Sequence, residues 1–189
     1  MIESLWKSTL ADFSNRLRTR EPVPAGVSVA AIAAALGLSL LTKVLEIARH
    51  RKDFEGDPKR VEDMIALARE LSDRLQSIAD EDIAAYTEYM AARKSPDEAR
   101  ALRRAIDVPL GAARAVGSGL VLCDQAARFT PPAIAPDLGT ARNLLTGALQ
   151  SILLSVDSNA KHLSDAGLRS DIEREREHLI ELAKNHQSW

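Results

Sequence analysis

The 189 residues are 46% hydrophobic, which is enough for one sizeable core, and we predict a single domain over residues 1–189. The net charge of −2 provides no general attraction to nucleic acid or to anionic lipid, so we expect neither as a partner. The single cysteine, Cys123, excludes an intramolecular disulfide, and the N-terminus lacks a secretory signal pattern. We therefore expect a reducing, cytoplasmic setting.

The first part of the chain predicts two helices. Apolar residues at steps of three and four indicate a first helix with one apolar stripe, formed by Ile2, Leu5, Trp6, Leu10, Phe13 and Leu17. Residues 18–24 end it. Residues 27–47 are apolar on every face and predict a central helix surrounded by others. Their most apolar run, 27–41, is shorter than the roughly 20 residues of a membrane span, so we expect a core helix and no membrane contact.

A long helix should follow Asp57 and Pro58, because aspartate caps free N–H groups and proline suits the first helical position. Its predicted inner face has helical spacing and consists of Val61, Met64, Ile65, Ala68, Leu71, Leu75, Ile78, Asp82, Tyr86 and Met90. Asp82 interrupts this apolar stripe. An unpaired carboxylate is costly to bury, so Asp82 should face a cleft, have a partner, or reach the surface.

Ser95 and Glu98 have the spacing of a capping box and predict another helix, which should run to about residue 128 with a kink or break at Pro109. Asp137 is expected to cap the next helix, and a last amphipathic helix should carry the charged run 173–177. Alternating strand patterns are absent. The predicted fold is an all-α helical bundle, which excludes nucleotide folds that need a strand before a glycine-rich loop.

Motifs for metal or nucleophilic catalysis are missing from the sequence. The four histidines, His50, His162, His178 and His186, include no pair at the helical spacing that binds one metal ion. Cys123 has no cysteine partner, and a lone cysteine is more often structural than nucleophilic. We predict that no metal is required.

Three segments, taken in order, resemble the cyclodeaminase and methenyltetrahydrofolate cyclohydrolase family of folate enzymes. Residues 21–31, EPVPAGVSVAA, look like the proline- and glycine-rich signature that leads into the central helix of the family. Residues 80–92, DEDIAAYTEYMAA, are similar to its acidic and aromatic pattern, and Pro109 matches its intrahelical proline. Residues 136–141, PDLGTA, and 155–159, SVDSN, look like its aspartate–glycine and asparagine elements.

The resemblance implies a homodimeric bundle that binds a tetrahydrofolate derivative near the dimer interface and opens or closes its one-carbon bridge. Carried over by position, it nominates Asp137 and Asp82 as catalytic carboxylates. It nominates the following residues for folate binding: Pro24, Gly26, Ser28, Gly139, Asn159 and Lys43.

Each nominated side chain also has a structural interpretation. Asp137 and Ser28 are suitable helix caps, and Lys43 can extend to solvent from an apolar helix. Asp82 can form an internal salt bridge, and Asn159 an interhelical hydrogen bond. Gly26 would let a ligand approach the start of the central helix, whose N–H groups favour electron-rich groups.

Our functional hypothesis is methenyltetrahydrofolate cyclohydrolase, in preference to formiminotetrahydrofolate cyclodeaminase because the chain carries no formiminotransferase segment. A second hypothesis is a catalytically reduced relative that binds folate or a protein. It is motivated by Ala25 and Val27 where the family has glycines, and by Pro136 where it has serine.

Overall fold

The computed structural model describes residues 4–184, and these residues form helices joined by short connections. The α-helices are α1 (Leu10–Leu17), α2 (Gly26–Arg49), α3 (Pro58–Ala92), α4 (Glu98–Ala127), α5 (Ala135–Ala160) and α6 (Ala166–Lys184). Two short 3-10 helices, Leu5–Lys7 and Pro132–Ile134, precede α1 and α5. The predicted all-α bundle is confirmed.

Helix α2 is the centre of the bundle, as predicted, and packs mainly against α3 and α5. Two buried hydroxyls connect α2 and α3 in opposite directions. Ser28 of α2 donates to the Ala79 carbonyl oxygen at 2.9 Å, and Ser72 of α3 donates to the Ala35 carbonyl oxygen at 3.2 Å. A Cβ added to Gly37 would lie 3.1 Å from the Ala141 carbonyl oxygen, so glycine here allows α2 to approach the backbone of α5.

The burial of α2 is less complete than its composition predicts. Two helices, α2 and α4, are long and apolar enough to cross a membrane, but 72% of the most apolar window of α4 and 56% of that of α2 is buried within the bundle. A core position accounts for the composition of α4. Helix α2 retains an uncovered apolar stripe that includes Val29, Leu36 and Ile47.

Several predicted helix ends are wrong for local reasons. The expected first helix is interrupted because Thr9 accepts a hydrogen bond from the Asp12 N–H and starts α1, and Leu10 is 78% exposed. Ile2 lies outside the described residues. The capping box does not form: Ser95 accepts from the Asp97 N–H, and Glu98 accepts from the Lys94 N–H.

Three other local predictions have different outcomes. Asp57 caps α3 by accepting from the Lys59 N–H at 2.9 Å, as predicted. Helix α4 continues through Pro109 without the break that we allowed. Asp137 is not the cap of α5, because the helix begins two residues earlier and places Asp137 within its first turn.

A buried ion pair joins α4 and α5. The Arg142 side chain is 6% exposed and donates to the Asp124 carboxylate at 2.6 Å. Cys123 beside it is fully buried, and burial raises the pKa of its thiol to about 12, which leaves no reactive thiolate near neutral pH.

Replacing Arg142 by methionine should lower the free energy of unfolding by about 3 kcal/mol, because the partly buried Asp124 carboxylate loses its ion pair with the buried Arg142 guanidinium. The matched control is Arg174→Met, which removes the exposed pair with Asp171 and should cost less than about 1 kcal/mol. Urea unfolding monitored by circular dichroism measures both. Equal losses of unfolding free energy in the two variants would show that the buried pair stabilises the protein no more than an exposed pair does.

Candidate functional site

A cavity of about 240 Å³ opens where the start of α2 meets α3, α4 and the end of α5. Side chains and backbone from all four helices and from the segment before α2 form its wall. The lining residues are Pro22, Val23, Ala25, Gly26, Val27, Asp82, Tyr86, Tyr89, Ala105, Ser155, Ser158 and Asn159.

Polar and aromatic groups reach the cavity from one face of α3 and one face of α5. Asp82, Tyr86 and Tyr89 follow one another at steps of four and three, which places them on one side of α3. On α5, the residues at positions i, i+3 and i+4 likewise share one side of the helix, and they are Ser155, Ser158 and Asn159. The cavity thus combines a carboxyl group and two aromatic rings with hydroxyl and amide groups.

Asp82 is the carboxyl group of the cavity, and its environment favours the protonated form. Burial raises its pKa to about 6, against a smaller lowering by the neighbouring Ser28 hydroxyl. By contrast, hydrogen bonds from arginine side chains lower the pKa of the Glu46, Asp53 and Glu88 carboxyl groups. A carboxyl group with a pKa near 6 can accept or donate a proton close to neutral pH.

The beginning of α2 contributes hydrogen-bond donors. Its N-cap, Ala25, has no side-chain cap, and the first helical hydrogen bond runs from the Val29 N–H to the Ala25 carbonyl oxygen. The N–H groups of Gly26 and Val27 therefore have no helical acceptor. Because both residues line the cavity, these N–H groups suit an electron-rich atom of a ligand.

Ala25 and Val27, which stand where the family has glycines, are compatible with the backbone of this chain. Among the described residues, only Lys94 combines a side chain with a positive φ, and no glycine has one. Val27 is an ordinary helical residue, and a Cβ at Gly26 would contact nothing within 4 Å. The glycines that the family has at 25 and 27 are therefore not required by backbone conformation here.

Two predicted binding residues lie beside the cavity and not in its wall. Ser28 is fully buried and contacts Ala79 and Asp82, so it is neither a cap nor exposed to a ligand. Pro24 is buried between the lining residues Val23 and Ala25, and the Val23–Pro24 peptide bond is cis.

The remaining predicted residues form a second group at the opposite end of α2 and α5. Lys43 Nζ lies 3.5 Å from Asp137 Oδ2, and both side chains are solvent-accessible. Gly139 lies two residues, about half a turn, further along α5. The 22 residues from Asp137 to Asn159 span about 33 Å of helix, so one chain does not bring Asp137 and Asp82 together.

Sequence reasoning missed Tyr89, Ser155 and Ser158 as cavity residues. The helical spacing from Asp82 through Tyr86 leads to Tyr89, and that from Asn159 leads back to the serines. The predicted inner face of α3 obscured this signal. Near the cavity the buried residues of α3 are Ile83 and Ala85, whereas Met90 of the predicted inner face is exposed.

Two other depressions differ in their chemistry. One of about 340 Å³ is lined by Asp53, Phe54 and Phe129, but the Asp53 carboxylate is exposed and already paired with Arg51. A cavity of about 690 Å³ between α4 and α6 contains Arg103 and His162, but Arg103 is already paired with Asp107 at 2.7 Å. Within residues 4–184, no three His, Cys, Asp or Glu side chains are grouped to hold a metal ion.

The fold and the cavity define a helical-bundle protein with a small cavity that contains a carboxyl group of raised pKa. A model of the formiminotransferase-cyclodeaminase family matches residues 9–178, and the chain belongs to this family. Formimidoyltransferase-cyclodeaminase of Sus scrofa is 26% identical over 96% of this chain. This chain spans only 36% of the length of that relative.

Two further relatives match nearly end to end. Methenyltetrahydrofolate cyclohydrolase of Methylorubrum extorquens is 28% identical, and the match covers 91% of this chain and 88% of that protein. The crystal structure of formiminotetrahydrofolate cyclodeaminase from Thermotoga maritima superposes with a TM-score of 0.92 at 24% identity, covering 95% of this chain and 92% of the other. The latter likeness establishes the fold.

The raised pKa of Asp82 predicts a specific pH dependence of stability. The folded state holds this proton up to about pH 6, whereas the unfolded chain releases it near pH 4, so stability falls as pH rises from 4 to 6. Asp82→Asn should remove this loss, which is roughly 3 kcal/mol at most, and should stabilise the protein at pH 7.

Chemical unfolding of wild type and Asp82→Asn between pH 4 and 8 isolates this effect as a difference. Asp73→Asn, an exposed change on the same helix, is the control and should show no such trend. A difference between wild type and Asp82→Asn that does not vary with pH would contradict the environment described for Asp82.

Proposed function

We propose that this protein is a folate-dependent one-carbon enzyme and acts as a methenyltetrahydrofolate cyclohydrolase. The observation that carries the proposal is Asp82, a carboxyl group with a pKa of about 6 in a cavity that also presents two tyrosines. The nearly full-length match to a cyclohydrolase supports this choice over the alternatives.

In this reaction water adds to the electron-poor carbon of the cationic methenyl bridge. The ionised Asp82 carboxylate accepts a proton from that water as the carbon–oxygen bond forms. The protonated carboxyl group then donates to the ring nitrogen as the bond from that nitrogen to carbon breaks, and the hydroxyl of the adduct releases its proton to solvent as the formyl C=O bond forms. A single group with a pKa near neutrality suits both steps.

The other cavity groups suit the shape and charge of this substrate. Aromatic faces of Tyr86 and Tyr89 can pack against a flat conjugated ring and stabilise its positive charge. The N–H groups of Gly26 and Val27 can donate to an electron-rich ring substituent.

Burial of the single cysteine is consistent with a reducing, cytoplasmic setting.

Formiminotetrahydrofolate cyclodeaminase is the second candidate function. There N10 attacks the formimino carbon and ammonia leaves, a step that the protonated Asp82 would assist by donating its proton. The family membership favours this candidate.

Purified protein mixed with methenyltetrahydrofolate should accelerate the loss of its near-ultraviolet absorbance over buffer. Asp82→Asn should lower kcat by roughly 100-fold or more, because the amide cannot exchange the proton. In wild type, kcat should rise with pH through about pH 6, as Asp82 ionises. Absence of acceleration would refute the cyclohydrolase proposal.

Two further measurements separate the alternatives. Ammonia released from formiminotetrahydrofolate identifies a cyclodeaminase. Equilibrium binding of the folate without turnover identifies the catalytically reduced relative.

We further propose that the protein is a homodimer formed through the uncovered face of α2 and α5. On α2 the face has the four–three spacing of a helix–helix seam and consists of Val29, Ala33, Leu36, Leu40, Lys43 and Ile47. On α5 it continues through Leu144, Gly147, Ser151 and Leu154, and Leu154 is 71% exposed. A contiguous apolar surface of this kind is typical of an interface.

The occupant that we propose is a second copy in antiparallel orientation. The cavity lies at one end of this face and the Lys43–Asp137 pair at the other. A twofold axis across the middle of the face exchanges the two ends. Lys43 of the partner subunit and Asp137 of the partner subunit then lie over the cavity that contains Asp82, which unites the two groups of predicted site residues.

Mixing Asp82→Asn protein with Asp137→Asn protein, after unfolding and refolding together, tests this arrangement. A mixed dimer has one site with both changes and one with neither, so activity should recover to about a quarter of wild type. If both carboxylates served one site within a chain, mixing would restore nothing.

Light scattering should show a dimer for wild type and a monomer for Leu154→Glu, with Glu70→Gln as an exposed control.

A further inference from the structure

Pro109 leaves one backbone carbonyl of α4 without its helical partner. In an α-helix the Ala105 carbonyl oxygen would accept from the N–H of residue 109, and proline has none. Asn159 of α5 fills this position: its Nδ2 donates to the Ala105 carbonyl oxygen at 2.8 Å. The proline of one helix thus provides the acceptor that holds an amide of another.

This contact determines which way the Asn159 amide is turned. A carbonyl oxygen only accepts, so the NH₂ end must face Ala105, and the oxygen end must face away. Both Ala105 and Asn159 line the cavity. Within residues 4–184 no donor reaches Asn159 Oδ1, and this oxygen is accessible.

We propose that Pro109 is a positioning residue that holds Asn159 as a hydrogen-bond acceptor for the ligand. Asn159 Oδ1 would accept a hydrogen bond from an N–H group of the ligand. Because the amide oxygen is neutral, this contact avoids the cost of burying a charge. On a folate, the aminopyrimidine edge carries such donors. The identity of the ligand rests on the proposed function, whereas the connection from Pro109 through Ala105 to Asn159 does not.

Thermal unfolding of four proteins tests this connection without any ligand: wild type, Pro109→Ala, Asn159→Ala and the double variant. Asn159→Ala should lower Tm, because it leaves a buried carbonyl unpaired. Pro109→Ala supplies the missing N–H, so it should raise Tm by about 2–4 °C more in the Asn159→Ala background than in wild type. Pro96→Ala, a proline that precedes α4, should act equally in both backgrounds.

Steady-state kinetics with methenyltetrahydrofolate tests the role toward ligand. Asn159→Ala and Pro109→Ala should each raise KM, the latter roughly twofold to tenfold, with kcat little changed. The double variant should be no worse than Asn159→Ala alone. Asn159→Asp should also weaken binding, because a carboxylate cannot donate to Ala105 and repels its oxygen.

Additive changes in Tm, or a lower kcat with unchanged KM in Pro109→Ala, would overturn the proposal. If wild type neither binds nor converts the folate, the proposed function fails. The unfolding measurements would still decide whether Pro109 acts through Asn159.

Discussion

Two buried hydroxyl contacts fix the position of α2 on α3, and the arrangement of the cavity depends on them. Ser28 donates from α2 to α3, and Ser72 donates from α3 to the Ala35 carbonyl oxygen of α2, seven residues further along the central helix. Each hydroxyl leaves water and regains a partner only in one register of the two helices. This register places the free N–H groups of Gly26 and Val27 opposite Asp82.

Ser28 also connects this packing to the chemistry of the site. Its hydroxyl contacts Asp82, and burial in the same region raises the pKa of that carboxyl group. Ser28 therefore fixes the register of the two helices and also lowers the pKa of Asp82 slightly, against the larger effect of burial. Ser28, which was nominated for ligand binding, is fully buried beside Asp82.

The two ends of the α2–α5 pair differ in character. One end holds a half-buried carboxyl group among aromatic and polar side chains, and the other holds an exposed ion pair between Lys43 and Asp137. Within residues 4–184, no segment covers the apolar face between them. The antiparallel dimer that we propose would account for all three features together.

The family pattern predicted the residues of both ends but not their separation. Asp82 was identified because a carboxylate interrupts an apolar stripe, which is a property of one helix. That Asp137 lies about 33 Å from Asn159 follows from the length of helix between them. The structure adds two starting residues to α5 and moves Asp137 into its first turn.

The sequence by itself determined the all-α fold, the central helix and the capped start of α3, because hydrophobic periodicity and capping are local properties. It also pointed to Asp82 and Asn159. Only the tertiary structure decided that Ser28 is hidden, that Tyr89 and Ser158 join the cavity, and that Asn159 donates to the Ala105 carbonyl oxygen. These outcomes depend on how helices far apart in the chain are rotated against one another, and that rotation is set by packing across the core.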